Sequence, residues 1–183
     1  PALATRTADE DYIDDIAIFS NDWESHVATV KRVLQRLEEK GFTINPLKCE
    51  WAVQETDWLG FWLTPTGLKP WKKKVQAILD LAPPRNHTEL RSFIGAITYY
   101  CEMYPHRSHV MAPLTALTGK KTYQWSDECQ QAFDKVKAMI THDVFIRYPD
   151  HNKAFHVYTD ASDYQLGAVI MQENIPVAYF SRK

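Results

Sequence analysis

The chain is poor in cysteine, in long apolar runs and in net charge. Its 183 residues hold three cysteines, Cys49, Cys101 and Cys129, an odd number set far apart. That pattern suits neither a disulfide framework nor a CxxC zinc site, so a reduced, intracellular setting (cytoplasm or nucleus) is expected. No apolar run approaches the roughly 18 residues of a membrane span, so no membrane partner is expected. Residues 1–11 lack the basic-then-apolar order of a secretion signal. Repeats and low-complexity tracts are missing as well. His106 and His109 lie three apart without cysteine partners, which argues against zinc.

What is present fits a globular chain. The hydrophobic fraction is 45% and the charged fraction 24%, and aromatics reach 13%, enough for a sizeable core. The length suits one ordinary domain or two small ones. The net charge of −2 conceals a strong asymmetry. Residues 1–68 carry 6 basic and 12 acidic groups, residues 69–121 carry 9 and 3, and residues 122–183 carry 6 and 8. An acidic first third beside a basic middle is what a cation site next to a polyanion surface would give, although a solvated helix face would give the same.

Periodicity divides the chain into a small mixed piece, a helical middle and a three-stranded end, an α+β class. Residues 1–11 read as a disordered leader. Ile16–Phe19 is strand-like. A helix follows, capped within Ser20–Asp22, with apolar Val27, Val30, Val33, Leu34 and Leu37 on one face and Gly41 as its stop. Phe42–Ile44 and Trp58–Leu63 read as strands, the second ending at the turn Pro65–Gly67. Helices are expected from Lys72 to Leu81, from Thr88 (as cap) to Met103, over 108–117, and from Asp127 to Thr141 behind Ser126. Strands are then expected over 155–159, 166–171 and 177–180, forming an antiparallel meander.

Tyr12-Ile13-Asp14-Asp15 is the first motif with chemistry. Adjacent carboxylates between apolar residues repel, and burial would raise their pKa. A divalent cation reverses that cost, since Mg²⁺ takes carboxylate oxygens. A solvated acidic turn accounts for the same residues. The run Tyr12 to Ser20 resembles the palm-hairpin signature of reverse transcriptases, in particular Gypsy-type LTR-retrotransposon polyproteins. The resemblance continues in order through Gly41 to Cys49, Trp58-Leu-Gly-Phe61, Gly67-Leu-Lys-Pro70 and Leu90 to Gly95 with Tyr99-Tyr100. It ends with Ala112-Pro-Leu-Thr115, Trp125 with Cys129 to Phe133, and Tyr158-Thr-Asp-Ala-Ser162 with 178–183. One YxDD is weak evidence; this many blocks in one order is strong.

The resemblance implies an RNA-directed DNA polymerase running into a ribonuclease H domain. Asp14 and Asp15 match metal-binding aspartates of nucleotidyl transfer, and Asp160 matches the first metal ligand of the ribonuclease. Mg²⁺ is thus the cofactor the resemblance implies, with incomplete sites that these residues alone need not fill. Trp58, Leu59, Gly60, Phe61 and Trp62 match the primer grip, with ordinary core packing expected for at least one of the two tryptophans. Lys69, Lys72, Lys73, Lys74 and Arg85 fall in the thumb, which tracks a duplex backbone. The implied division is 12–68 for the end of the palm with the primer-grip hairpin, 69–145 for a helical thumb and connection, and 146–183 for the start of the ribonuclease. An RNA–DNA hybrid or primer–template duplex is the implied partner. Ala8 to Asp11 are poor strand formers where the family has an apolar strand. The upstream palm and the later ribonuclease ligands are not in the sequence, so the chain alone is expected to catalyse neither reaction. Its alternatives are a non-enzymatic nucleic-acid-binding module and a protein-interaction module using an exposed strand edge.

Overall fold

The computed structural model describes residues 9–119, 122–142, 144–162 and 166–182, with side chains from Tyr12 onward. Strand β1 (Asp9–Tyr12) pairs antiparallel with β2 (Asp15–Ile18). This corrects the expected leader: residues 1–8 lie outside the described residues, but 9–11 belong to a hairpin. A hairpin pairs backbone groups, which an acidic segment supplies as well as an apolar one. Ile13 takes the left-handed φ of 59° that such a tight turn uses.

Helix α1 (Trp23–Glu39) begins where the Asp22 carboxylate accepts the Ser25 N–H at 2.8 Å. It ends with Gly41 N–H donating to Glu38 and Phe42 N–H donating to Leu37, both at 2.9 Å, the double bond of a Schellman stop. The strand expected over Phe42–Ile44 does not form. The chain runs directly into a 3-10 turn (Pro46–Lys48) capped by Asn45, and Phe42 and Ile44 stay exposed. With no neighbouring ladder there, apolar character alone makes no strand.

The expected strand at 58–63 is instead a hairpin, β3 (Thr56–Trp58) and β4 (Phe61–Thr64). Two further strands, β5 (Gly67–Pro70) and β6 (Ile146–Arg147), complete an antiparallel sheet in the order β3-β4-β5-β6. A Cβ on Gly67 would sit 2.3 Å from the Ile146 carbonyl oxygen, so β6 can approach only a glycine. This sheet crosses both implied boundaries, at 68 and at 145.

The helical middle comprises α2 (Lys72–Leu79), α3 (His87–Thr98), α4 (Arg107–Val110), α5 (Ala112–Ala116) and α6 (Asp127–Thr141). The cap of α3 is Asn86, two residues before the expected Thr88. Asn86 Oδ1 accepts the Glu89 N–H at 2.9 Å, and Glu89 accepts the Arg85 N–H at 2.7 Å. This reciprocal pairing outcompetes Thr88 because Glu89 stands three residues after Asn86, whereas Arg91 follows Thr88. The helix expected over 108–117 is broken in two, since Pro113 has no N–H to continue the ladder. Leu90, Phe93, Ile97, Tyr100, Leu114, Phe133 and Val136 form the core between these helices, each at most 2% exposed. Burying one such side chain contributes about 1.5–3 kcal/mol. Lys137 of α6 donates to the Leu79 carbonyl at 2.7 Å and to that of Leu81, capping α2 from another element.

The expected meander is present as β7 (His156–Ala161), β8 (Leu166–Gln172) and β9 (Ile175–Arg182), in that spatial order. Gln172 is 2% exposed and fastens the sheet to the preceding segment. It accepts the Asp150 N–H at 2.8 Å and donates to the carbonyls of Asp150 at 2.7 Å and Lys153 at 3.2 Å. Glu173 adds ion pairs to Arg147 and Lys153, each at 2.8 Å. Strand β7 lies at an edge and every one of its residues is exposed. The whole is the α+β arrangement of hairpins, helical middle and open three-stranded end. No helix among the described residues is long and apolar enough to cross a membrane.

Candidate nucleic-acid interface

The β3–β4 hairpin turns on two residues, Leu59 and Gly60, with φ of 48° and 80°. Both left-handed values are what a two-residue hairpin of matching twist requires. For Leu59 the conformation costs about 1–2 kcal/mol, so neighbouring contacts must hold it. They come from the end of α3 and the start of α2. The Tyr99 hydroxyl donates to the Leu59 carbonyl, and the Tyr100 hydroxyl donates to the Gly60 carbonyl at 2.6 Å. The Trp71 N–H donates to the same Gly60 oxygen at 3.1 Å.

Aromatic packing completes the seat. Phe61 lies stacked on Tyr99 at 5.3 Å and edge-on to Tyr100 at 5.3 Å. The Lys74 ammonium sits 3.8 Å above the Tyr99 ring. A Cβ on Gly60 would come within 2.8 Å of Lys74 Nζ, so the glycine admits the lysine. Burial pushes the Tyr100 phenol up to about 12, helped by the neighbouring phenols of Tyr99 and Tyr104, which keeps it a hydrogen-bond donor. Tyr99 is also raised, by burial and then by the nearby Tyr12.

Three lysines, Lys72, Lys73 and Lys74, occupy the first turn of α2, which holds no acidic residue and has no side-chain cap. Cations at the positive end of a helix oppose its dipole, by about 0.3–1 kcal/mol each. Lys73 also lies 5.4 Å over the Trp71 ring. Lys69 on β5 pairs in register with Trp62 on β4, whose indole N–H donates to Glu55 at 2.8 Å. Trp58 and Trp62 are both half-buried, and Arg85 is exposed just ahead of α3.

The structure thus brings together the turn residues, Phe61, Lys74 and the N-terminus of α2. It leaves the carboxylates apart. Asp14 and Asp15 stand exposed at the β1–β2 turn, while Asp160 lies exposed on β7, in a different sheet. Magnesium demands near-octahedral oxygen coordination. Among the described residues no group of three or more His, Cys, Asp or Glu is placed to hold a metal. On their own these donors do not make a two-metal centre. Sequence reasoning missed Tyr99 and Tyr100 as holders of the turn. Their only signal was two consecutive phenols at the end of an apolar helix, each needing an acceptor.

Comparison with known proteins agrees with the motifs. Residues 10–63 match the family of reverse transcriptases (RNA-dependent DNA polymerases), and residues 125–183 match the RNase H-like domain found in reverse transcriptase. The chain is 35% identical over 173 residues to the retrovirus-related Pol polyprotein from transposon 297 of Drosophila melanogaster, covering 93% of this chain and 16% of that protein. It is 33% identical over 178 residues to the transposon Tf2-3 polyprotein of Schizosaccharomyces pombe, covering 94% of this chain and 13% of that protein. The chain therefore spans less than a fifth of these relatives. Its fold matches a foamy viral protease-reverse transcriptase with a TM-score of 0.85 at 23% identity, over 95% of this chain and 32% of the other. The ordered blocks, the two family matches and the shared fold agree: the chain belongs to the reverse transcriptase and ribonuclease H family of Gypsy-type LTR-retrotransposon polyproteins.

Proposed function

We propose that these residues form the duplex-handling part of an RNA-directed DNA polymerase. The turn Leu59–Gly60, flanked by Trp58, Phe61 and Trp62, meets the end of the primer. Lys69, Lys72, Lys73, Lys74 and Arg85 follow the phosphate backbone. The observation that carries this reading is the seating of that turn directly on a helix start crowded with lysines. Lysines there oppose the helix dipole, and a phosphate backbone offsets that cost. The similar foamy viral structures are complexes with ds DNA and with an RNA/DNA hybrid, which suits a hybrid or primer–template duplex as partner. On this reading residues 12–68 close the palm, 69–145 are thumb and connection, and 146–183 open the ribonuclease. Asp14 and Asp15, and separately Asp160, are partial Mg²⁺ ligand sets that need donors from outside the described residues.

Backbone contacts of this kind are insensitive to sequence and sensitive to salt. Four or five phosphate contacts give a slope of log K against log salt of about −4. Fluorescence anisotropy with a labelled RNA–DNA hybrid measures it. The combined change Lys72→Gln, Lys73→Gln, Lys74→Gln is expected to flatten that slope by roughly 2.7. Binding without salt dependence, or a slope untouched by the three changes, would sink the proposal.

A further inference from the structure

Two consecutive side chains, Tyr99 and Tyr100, meet two consecutive carbonyls, Leu59 and Gly60, forty positions earlier in the chain. Their rings stand at 88° to each other with centroids 5.1 Å apart, so one helix end reaches both oxygens of the turn. The hairpin they hold has little stability of its own: β3 is three residues long and lies at the edge of its sheet. The same Tyr99 ring lies beneath the Lys74 ammonium. One pair of phenols therefore fixes the turn and the first turn of α2 against each other.

We propose that Tyr99 and Tyr100 are positioning residues of this interface, whose hydroxyls hold the Leu59–Gly60 turn in register with Lys74 so that a duplex end and its backbone are engaged together. The inference rests on the reading of this surface as a duplex grip. It says what the hydroxyls add beyond packing. Phenylalanine at both positions keeps the stacking on Phe61 and the face under Lys74, and removes only the two donors. Register between end and backbone is then lost, while the number of phosphate contacts is not.

The test compares a blunt RNA–DNA hybrid with the same hybrid carrying a recessed DNA 3′ end, by anisotropy across a salt series. The wild-type chain is expected to prefer the recessed end by roughly tenfold, the factor that about one net interaction supplies. The double variant Tyr99→Phe, Tyr100→Phe is expected to keep the salt slope and to lose the preference to within about twofold. Ile140→Val, a core change distant in sequence from the turn, lowers stability without touching either hydroxyl and is expected to retain the preference. A double variant that still prefers the recessed end overturns the inference, as does loss of preference in Ile140→Val. A wild-type chain with steep salt dependence but no end preference overturns the inference and the placing of the primer end on the turn, and leaves the backbone-binding reading standing. A wild-type chain with no salt-dependent binding overturns the duplex reading and the inference with it.

Discussion

Replacing Gly60 with alanine tests the geometry of the turn at a single atom. Gly60 holds φ at 80°, where an L side chain is strained by about 1–2 kcal/mol. The new Cβ would lie 2.8 Å from Lys74 Nζ, 3.0 Å from Lys74 Cδ and 3.3 Å from Tyr99 Cε1. The far end of a lysine can move away, and moving forfeits the cation–π contact, which lies 3.8 Å from the Tyr99 ring centroid. At a partly exposed site that contact contributes about 0.5–1 kcal/mol. Together the two terms predict a loss of about 1.5–3 kcal/mol. For a chain of this size that lowers Tm by about 3–12 °C. Urea unfolding followed by tryptophan fluorescence reads the free energy, with an unchanged m-value as the check that the unfolded state is the same. In a Lys74→Ala background the same change should cost only the backbone strain, so the two substitutions should couple by about 0.5–1 kcal/mol. A neutral Gly60→Ala, or strictly additive effects, would refute the claim that this glycine is kept for the lysine.

Other expectations follow from the same structure. Gln172→Leu leaves three backbone groups of Asp150 and Lys153 without their partner, and is expected to cost about 2–4 kcal/mol in urea unfolding; a loss below 1 kcal/mol by the same ~1 kcal/mol-per-bond scale would show that the sheet is fastened elsewhere. Tyr100 and Tyr104 both have phenols raised from 10.0 to about 12, chiefly by burial. Because the folded state favours the neutral form, this stability is fully present below pH 10.0 and is lost as pH rises through about 12. Alkaline unfolding should accordingly become shallower in the variant Tyr100→Phe, Tyr104→Phe, and an unchanged pH slope would contradict the burial of those hydroxyls.

Much of this molecule is legible from residue order, and the exceptions have physical causes. The caps Asp22 and Ser126, the Gly41 stop and the three-strand meander follow from local chemistry, and local chemistry is what a sequence displays. Phe42–Ile44 reads as a strand because its composition suits one, yet strand formation depends on a neighbour that no local pattern reveals. The acidic β1 fails the propensity rule and still pairs, since its partner β2 and the turn at Ile13 supply the ladder. Strand β6 is two residues long and pairs with β5, 80 positions earlier at Gly67↔Arg147 and 78 at Leu68↔Ile146. Separations of that kind leave almost no trace in periodicity. At the interface, the lysines and the Trp-Leu-Gly-Phe turn are visible as composition and motif. The tyrosine hydroxyls that join them are not, because a tyrosine in an apolar helix looks like core until its acceptor is known.

The central claim is that a duplex lands on the β3–β4 turn and the start of α2. Backbone amide chemical-shift mapping on titration with an RNA–DNA hybrid at low salt tests it most directly. The account predicts the largest perturbations at Leu59, Gly60, Lys69, Lys72, Lys73, Lys74 and Arg85, fading as salt rises. Shifts centred instead on β7 or on the exposed face of α6, with the Leu59–Gly60 turn unmoved, would contradict it.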